Sequence, residues 1–264
     1  MLKNTASIAG SQIRQLFFSK LKIFFWAAML LFGVMSVLNY GGEFETVPRD
    51  EHSASEWISE GCLNALVPFV PIFIAFSVGD TCAGDFPDRT LYYELTSGKK
   101  RSEAYWGRAI PAIIFTLLAL MILFIALPAI VTAKHGWGTY FGVSDLLIRY
   151  VMLIAPLLRI ICTMIFISFI LKKPLLVTLV GFGESVVNTV FAGAVSDVLG
   201  IGSVDKILNS YERWQVYGLD ADMHLILDVT LRWSEMAASV LISLAVSALM
   251  LFLGYVYFHR DDLN

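Results

Sequence analysis

Charge is what this sequence has least of. Only 16% of its 264 residues are Asp, Glu, Lys or Arg, while 57% are hydrophobic and mean hydropathy is +0.71. Soluble domains carry about 25% charged residues, so an ordinary water-soluble domain is excluded. Net charge is −3, which gives no global field to attract nucleic acid, and none is expected as a partner. Cysteine is scarce: Cys62, Cys82 and Cys162 stand apart with no C-x-x-C and no Cys/His spacing, so neither a disulfide framework nor a zinc site is supported. His52, His135, His224 and His259 all fall in loops or at an end. There is no H-E-x-x-H for a zinc protease and no G-x-x-x-x-G-K-[ST] to cradle ATP. Gly183-Glu184-Ser185 sets a serine beside an acid, but no histidine lies at membrane depth to activate it. The chain is therefore expected to catalyse nothing itself and to hold no metal or cofactor.

Long apolar runs are what it has in abundance. Crossing a bilayer core of about 30 Å takes roughly 20 helical residues. Six runs approach or exceed that length: Ile23–Gly42, Gly61–Gly79, Ala109–Ala133, Tyr150–Leu171, Pro174–Ser196 and Met236–Phe258. With no repeat, low-complexity tract or linker, residues 1–264 read as one all-α domain of six transmembrane helices. The first run starts after Lys22 and is too long for the core of a cleaved signal peptide, so it reads as a signal anchor.

Basic residues sort by side. Lys3, Arg14, Lys20 and Lys22 precede span one; Arg89, Lys99, Lys100, Arg101 and Arg108 follow span two; Lys172 and Lys173 follow span four; Arg260 follows span six. The loop Glu43–Glu60 sets Arg49 against six acids, and Asp197–Glu235 sets Lys206, Arg213 and Arg232 against seven. Short basic loops stay cytoplasmic, which puts both termini in the cytosol. Trp57, Trp106 and Trp137 lie near span ends, where amphipathic rings prefer headgroup level. Within Ser11–Lys22, Ile13, Leu16, Phe17 and Leu21 fall at helical spacing, which suits a helix lying on the membrane surface or an extension of span one.

The loop between spans two and three is the most patterned. Asp88 is placed to cap a short helix over Arg89–Ser97, Gly98 to stop it, and Ser102 to cap the next helix. Leu91, Tyr92 and Leu95 are expected on one face, fit either to dock into another protein's groove or to form an ordinary surface helix.

Two charges break the spans. Arg159 and Glu184 lie about 13 and 12 residues from Lys172, hence at similar depth on adjacent antiparallel helices, and are expected to pair. Such a pair serves either to hold two helices together or as a latch on a substrate path. Gly181, Ser185, Thr189 and Gly193, beside Glu184, Asn188, Ala192 and Ser196, make a small, polar face on span five that suits a dimer seam or an aqueous pathway. Ser239, Ser243 and Ser247 repeat the device on span six, as packing. Pro68 and Pro71 loosen span two.

From Asp88 to Arg108 the chain reads D-R-T-L-Y-Y-E-L-T-S-G-K-K-R-S-E-A-Y-W-G-R. This resembles the permeases of type-2 ABC exporters. Arg89-Thr90 fills that family's first step, Ser97-Gly98 its turn, Arg101 its arginine, and Gly107-Arg108 the approach to span three. Tyr257-Phe258-His259-Arg260-Asp261 is similar to the family's aromatic-basic-Asp ending. Arg89 stands where glycine is commoner, and Arg108 where lysine is. The resemblance implies a permease that pairs with a second copy or a related permease and with a separate ATP-binding subunit carrying ATP and Mg. Spans two and five would line the dimer seam. Asp88, Arg89, Thr90, Leu91, Tyr92, Leu95, Gly98 and Arg101 would form the coupling element resting on the ATPase. The expected setting is a bacterial cell membrane. The alternative, from another class, is a non-transporting sensor or immunity protein that binds an extracellular ligand through residues 197–235.

Overall fold

Apolar sequence gives long helices, and the described residues fold as helices joined by turns. The computed structural model describes residues 5, 7–13, 20–39, 53–61, 66, 69–186, 226 and 233–260; among them there is no strand. After a helical stretch at 7–13 come α1 (Lys20–Asn39), a short turn α2 (Ala54–Glu56) continuing as a π-helical turn (Trp57–Gly61), α3 (Phe69–Ala83), α4 (Thr90–Thr96), α5 (Arg101–His135), α6 (Val143–Leu171), α7 (Pro174–Val186) and α8 (Trp233–Arg260). Among the described residues three segments are long and apolar enough to cross a membrane: Arg101–His135, Val143–Leu171 and Met236–Arg260. Shorter apolar stretches lie in α1, α3 and α7.

Several boundaries differ from the expected ones for local reasons. The third span is expected from Ala109, yet its helix starts at Arg101, and its 35 residues extend about 50 Å, well beyond a bilayer core. Its start is fixed by Lys100 and Glu103, not by Ser102: the Lys100 amide donates to Glu103 Oε2 at 3.1 Å. The second span's helix runs on to Ala83 where Gly79 was expected to end it. The fourth begins at Val143 rather than Tyr150.

Proline inside α5 has a visible remedy. Pro128 has no N–H to give the carbonyl four residues back, that of Phe124. The Tyr150 hydroxyl, from α6, donates to that carbonyl instead. A helix defect thereby becomes a bond between helices.

The bundle closes by two seams. α3 and α7 run antiparallel: Gly181 lies against Ala75 and the Pro71 carbonyl, and Gly79 against Val177 and the Pro174 carbonyl. A Cβ at Gly181 would collide with backbone, so this seam depends on small residues. α8 lies along α6 with Ser239, Ser243 and Ser247 all buried, as packing. Ser77 of α3 meets Thr116 of α5 at 2.9 Å. At one end Ala54 and Ser55 donate backbone bonds to Gly136 and Trp137 (3.0 and 2.9 Å). Trp57, expected at headgroup level, is instead fully enclosed in the core.

Outside, large apolar side chains stay uncovered: Leu31 and Met35 on α1, Leu118 and Ile125 on α5, Leu241 and Phe252 on α8. Only 22% of the apolar stretch of α8 is buried, against 67% for α6, which places α6 at the centre and α8 at the periphery. Apolar stripes of this extent on helices of this length define a helical membrane protein.

Candidate functional site

The end of the bundle where α3 and α6 finish carries the densest polar chemistry among the described residues. After Ala83 the chain turns twice on backbone bonds, Phe86 N–H to Ala83 O and Arg89 N–H to Phe86 O, at 3.3 and 3.2 Å. Arg89 then takes a left-handed conformation (φ 55°) and starts α4 with no side-chain cap, so the expected cap by Asp88 does not form. Thr90 is the first helical residue. Gly98 ends the helix as expected, its φ of 92° being a conformation that suits glycine.

The expected docking face needs correction. Leu91 is 2% exposed and Leu95 half-buried, whereas Tyr92 is 54% and Tyr93 66% exposed. Positions 91 and 95 are one turn apart and share a stripe, which the loop folds inward onto its own helices; Tyr92 is rotated away from them. The outward surface of α4 is therefore the tyrosine pair.

Beneath α4 sits a buried cluster. Arg108, fully enclosed, donates from Nε to Asp85 Oδ2 at 2.8 Å, from Nη2 to the same oxygen at 2.6 Å and to Glu94 Oε2 at 2.9 Å, and from Nη1 to the Ala104 carbonyl at 3.2 Å. Gln12, from the 7–13 helical stretch, donates to Asp85 Oδ2 at 2.9 Å. Lys99 pairs with Glu94 at 3.4 Å. Two cations thus face two carboxylates. A guanidinium taken out of water is tolerated only with such partners, and removing one leaves an uncompensated charge. The cluster joins four pieces of chain: the N-terminal stretch, the turn after α3, α4 and the start of α5.

Around it lies an aromatic layer. The Tyr105 hydroxyl donates to the Leu251 carbonyl at 2.9 Å, and its ring packs on Phe169 and Phe258 with centroids 4.8 and 6.1 Å away. Gly254 leaves room for that hydroxyl. Arg101, at the head of α5, donates to the carbonyls of Phe258 and His259 (3.5 and 3.1 Å), a cation meeting the negative end of α8.

The polar residues of the mid-bundle are arranged differently. Arg159 is buried on α6 and donates to Ser243 Oγ of α8 at 3.3 Å. Glu184 is half-buried on α7, the helix after α6. Gly181, expected on a seam or pathway, packs inside the chain against α3. Ser185 lies within α7. Asn188, Thr189 and Gly193, the outer loop 197–235 apart from Ile226 and the start of α8, and the closing Asp261 lie outside the described residues.

Sequence reading missed Asp85 and Glu94 as partners of Arg108, since they stand 23 and 14 positions away along the chain, and Gln12, which donates to Asp85 across 73 positions. One signal was available: an arginine leading into an apolar run, with unassigned acids in the same loop. It also missed Arg149, which is buried near the far end of α6, donates to the Ile226 carbonyl at 2.9 Å and sits 4.6 Å from the Phe141 ring centre.

Helices, apolar exterior and buried cluster together define an all-helical membrane protein whose loop helix is fastened to its membrane helices. The chain belongs to the family described as "Protein of unknown function (DUF2705)", which matches residues 24–264. No curated protein matches it.

Proposed function

We propose that this chain is the permease subunit of an ATP-driven exporter of the type-2 ABC class. It spans a bacterial cell membrane six times with both termini cytoplasmic, pairs with a second copy or a related permease, and is driven by a separate ATP-binding subunit that supplies ATP, Mg and hydrolysis. α4 is the coupling helix. The observation that carries this reading is the buried Arg108–Asp85–Glu94 cluster beneath a helix whose exposed side is Tyr92 and Tyr93. A helix that only decorated a surface would have no need of a desolvated three-way ion pair. A lever requires one: Glu94 on α4 grips Arg108 on α5, and Arg108 grips Asp85 next to α3. A push on α4 then moves the ends of two membrane helices as one body, the element that rigid-body alternating access uses. The polar faces of Arg159 and Glu184 line the moving region, where their pairing holds one of its states.

The test is copurification of the full chain with a P-loop ATPase, sought in an adjacent open reading frame. Tyr92→Asp with Tyr93→Asp should abolish the association while the chain stays folded. Undiminished association, or no ATPase partner at all, contradicts the reading. The exposed tyrosines are the right probes, because Leu91 is buried and its replacement would unfold the loop.

A further inference from the structure

A groove of about 580 Å³ opens beside α4, between the turn after α3 and the α6–α7 turn. Phe86, Leu91 and Tyr92 give it an apolar wall; Arg89, Lys172 and Lys173 give it three cations. Lys172 Nζ stands 5.9 Å from the centre of the Phe86 ring. Two of the cations stand on left-handed backbone, Arg89 at φ 55° and Lys172 at φ 54°. Asp88, in the same turn as Arg89, is exposed and does not line the groove.

The position of the groove identifies its occupant. It lies where α3 ends at Ala83, α6 ends at Leu171 and α7 begins at Pro174, which is where apolar helices leave the hydrocarbon. Just past Lys173 in the chain, at the start of α7, Leu175 and Leu179 are 71% and 54% exposed, so an uncovered apolar strip follows directly on the basic turn. Cations at the rim and apolar surface below match one molecule with a phosphate at one end and acyl chains at the other. Basic pockets between membrane helices on the cytoplasmic side take anionic headgroups for this reason. We infer that the groove is a binding site for an anionic phospholipid, its phosphate between Arg89, Lys172 and Lys173 and one acyl chain along Leu175 and Leu179. The site needs the membrane setting but not the exporter reading, and a lipid there would brace α4 against the α6–α7 turn.

The experiment uses the delipidated full chain in detergent, titrated with phosphatidylglycerol or phosphatidylcholine and read by native mass spectrometry. The expected result is a preference for phosphatidylglycerol, lowered about fivefold by Arg89→Asn and again by Lys173→Gln, the value of one basic residue near an anionic headgroup. Asn tolerates the left-handed conformation at 89. Arg89→Lys with Lys173→Arg should keep the preference and so separates lost charge from lost fold. Equal binding of the two lipids, or an unchanged preference after both charges are removed, overturns the inference. So does displacement of phosphatidylglycerol by millimolar inorganic phosphate, which would make this a free-phosphate site. Because the lipid titration is run without any ATPase, its failure leaves the copurification result untouched.

Discussion

Two buried arginines treat the same physical problem in different ways. Arg108, at the α4 end, is surrounded by carboxylates from separate pieces of chain and by a backbone carbonyl. Arg159, in the middle of α6, reaches a serine hydroxyl on a neighbouring helix. Near an aqueous boundary a full complement of acids can be gathered from loops. At mid-depth each further charge costs a few kcal/mol to insert, so charged groups there are few. A dense charge cluster ties four pieces of chain together at once, whereas the Arg159–Ser243 contact joins two helices, α6 and α8. That contrast assigns the firmer joint to the α4 end.

The largest effect is expected at the joint. Arg108→Met leaves Asp85 without its cation and Glu94 with Lys99 alone, and should cost about 3–5 kcal/mol, seen as a large fall in thermal unfolding temperature in detergent. Adding Asp85→Asn and Glu94→Gln to Arg108→Met should restore most of the loss; a triple variant as unstable as the single one would mean that packing, not charge, is what matters there. Next comes the α3–α7 seam. Gly181→Leu must push against the Pro71 backbone and Ala75, an overpacking cost of about 1–3 kcal/mol, with Gly183→Leu, whose Cβ would meet open space, as a nearly silent control. The mid-bundle charges should show less. A double-mutant cycle of Arg159→Met and Glu184→Gln should give a coupling of about 0.5–2 kcal/mol, the range for polar contacts between membrane helices; a coupling of zero would remove the proposed pair. The smallest effect belongs to the outer side of α4, where Tyr92→Asp and Tyr93→Asp should change stability by less than about 0.5 kcal/mol while abolishing ATPase binding.

Three membrane-length helices were legible in the sequence, and the site only in outline. Apolar run length alone located α5, α6 and α8, and the serine stripe 239, 243, 247 correctly marked a packing face. Gly98 as a helix stop followed from its chemistry. Boundaries drifted where capping was contested: Glu103 reaching back to Lys100 starts α5 ahead of the expected Ser102 cap. Leu91 and Tyr92 were grouped by hydrophobicity, although one residue of separation turns them about 100° apart on a helix, and only Leu91 is buried. The ion cluster was illegible because its members are distant along the chain; a sequence shows that Arg108 must find partners but not which acids fold back to it.

The central claim is that the cluster fastens α4 to the membrane helices, and hydrogen exchange of the α4 amides tests it most directly. In the unaltered chain, Leu91–Thr96 should exchange slowly for so short and exposed a helix, and Glu94→Ala should speed exchange there while leaving α6 and α8 protected, because local opening follows the contacts that are lost. Rapid exchange of α4 in the unaltered chain, or unchanged protection in Glu94→Ala, would contradict the account.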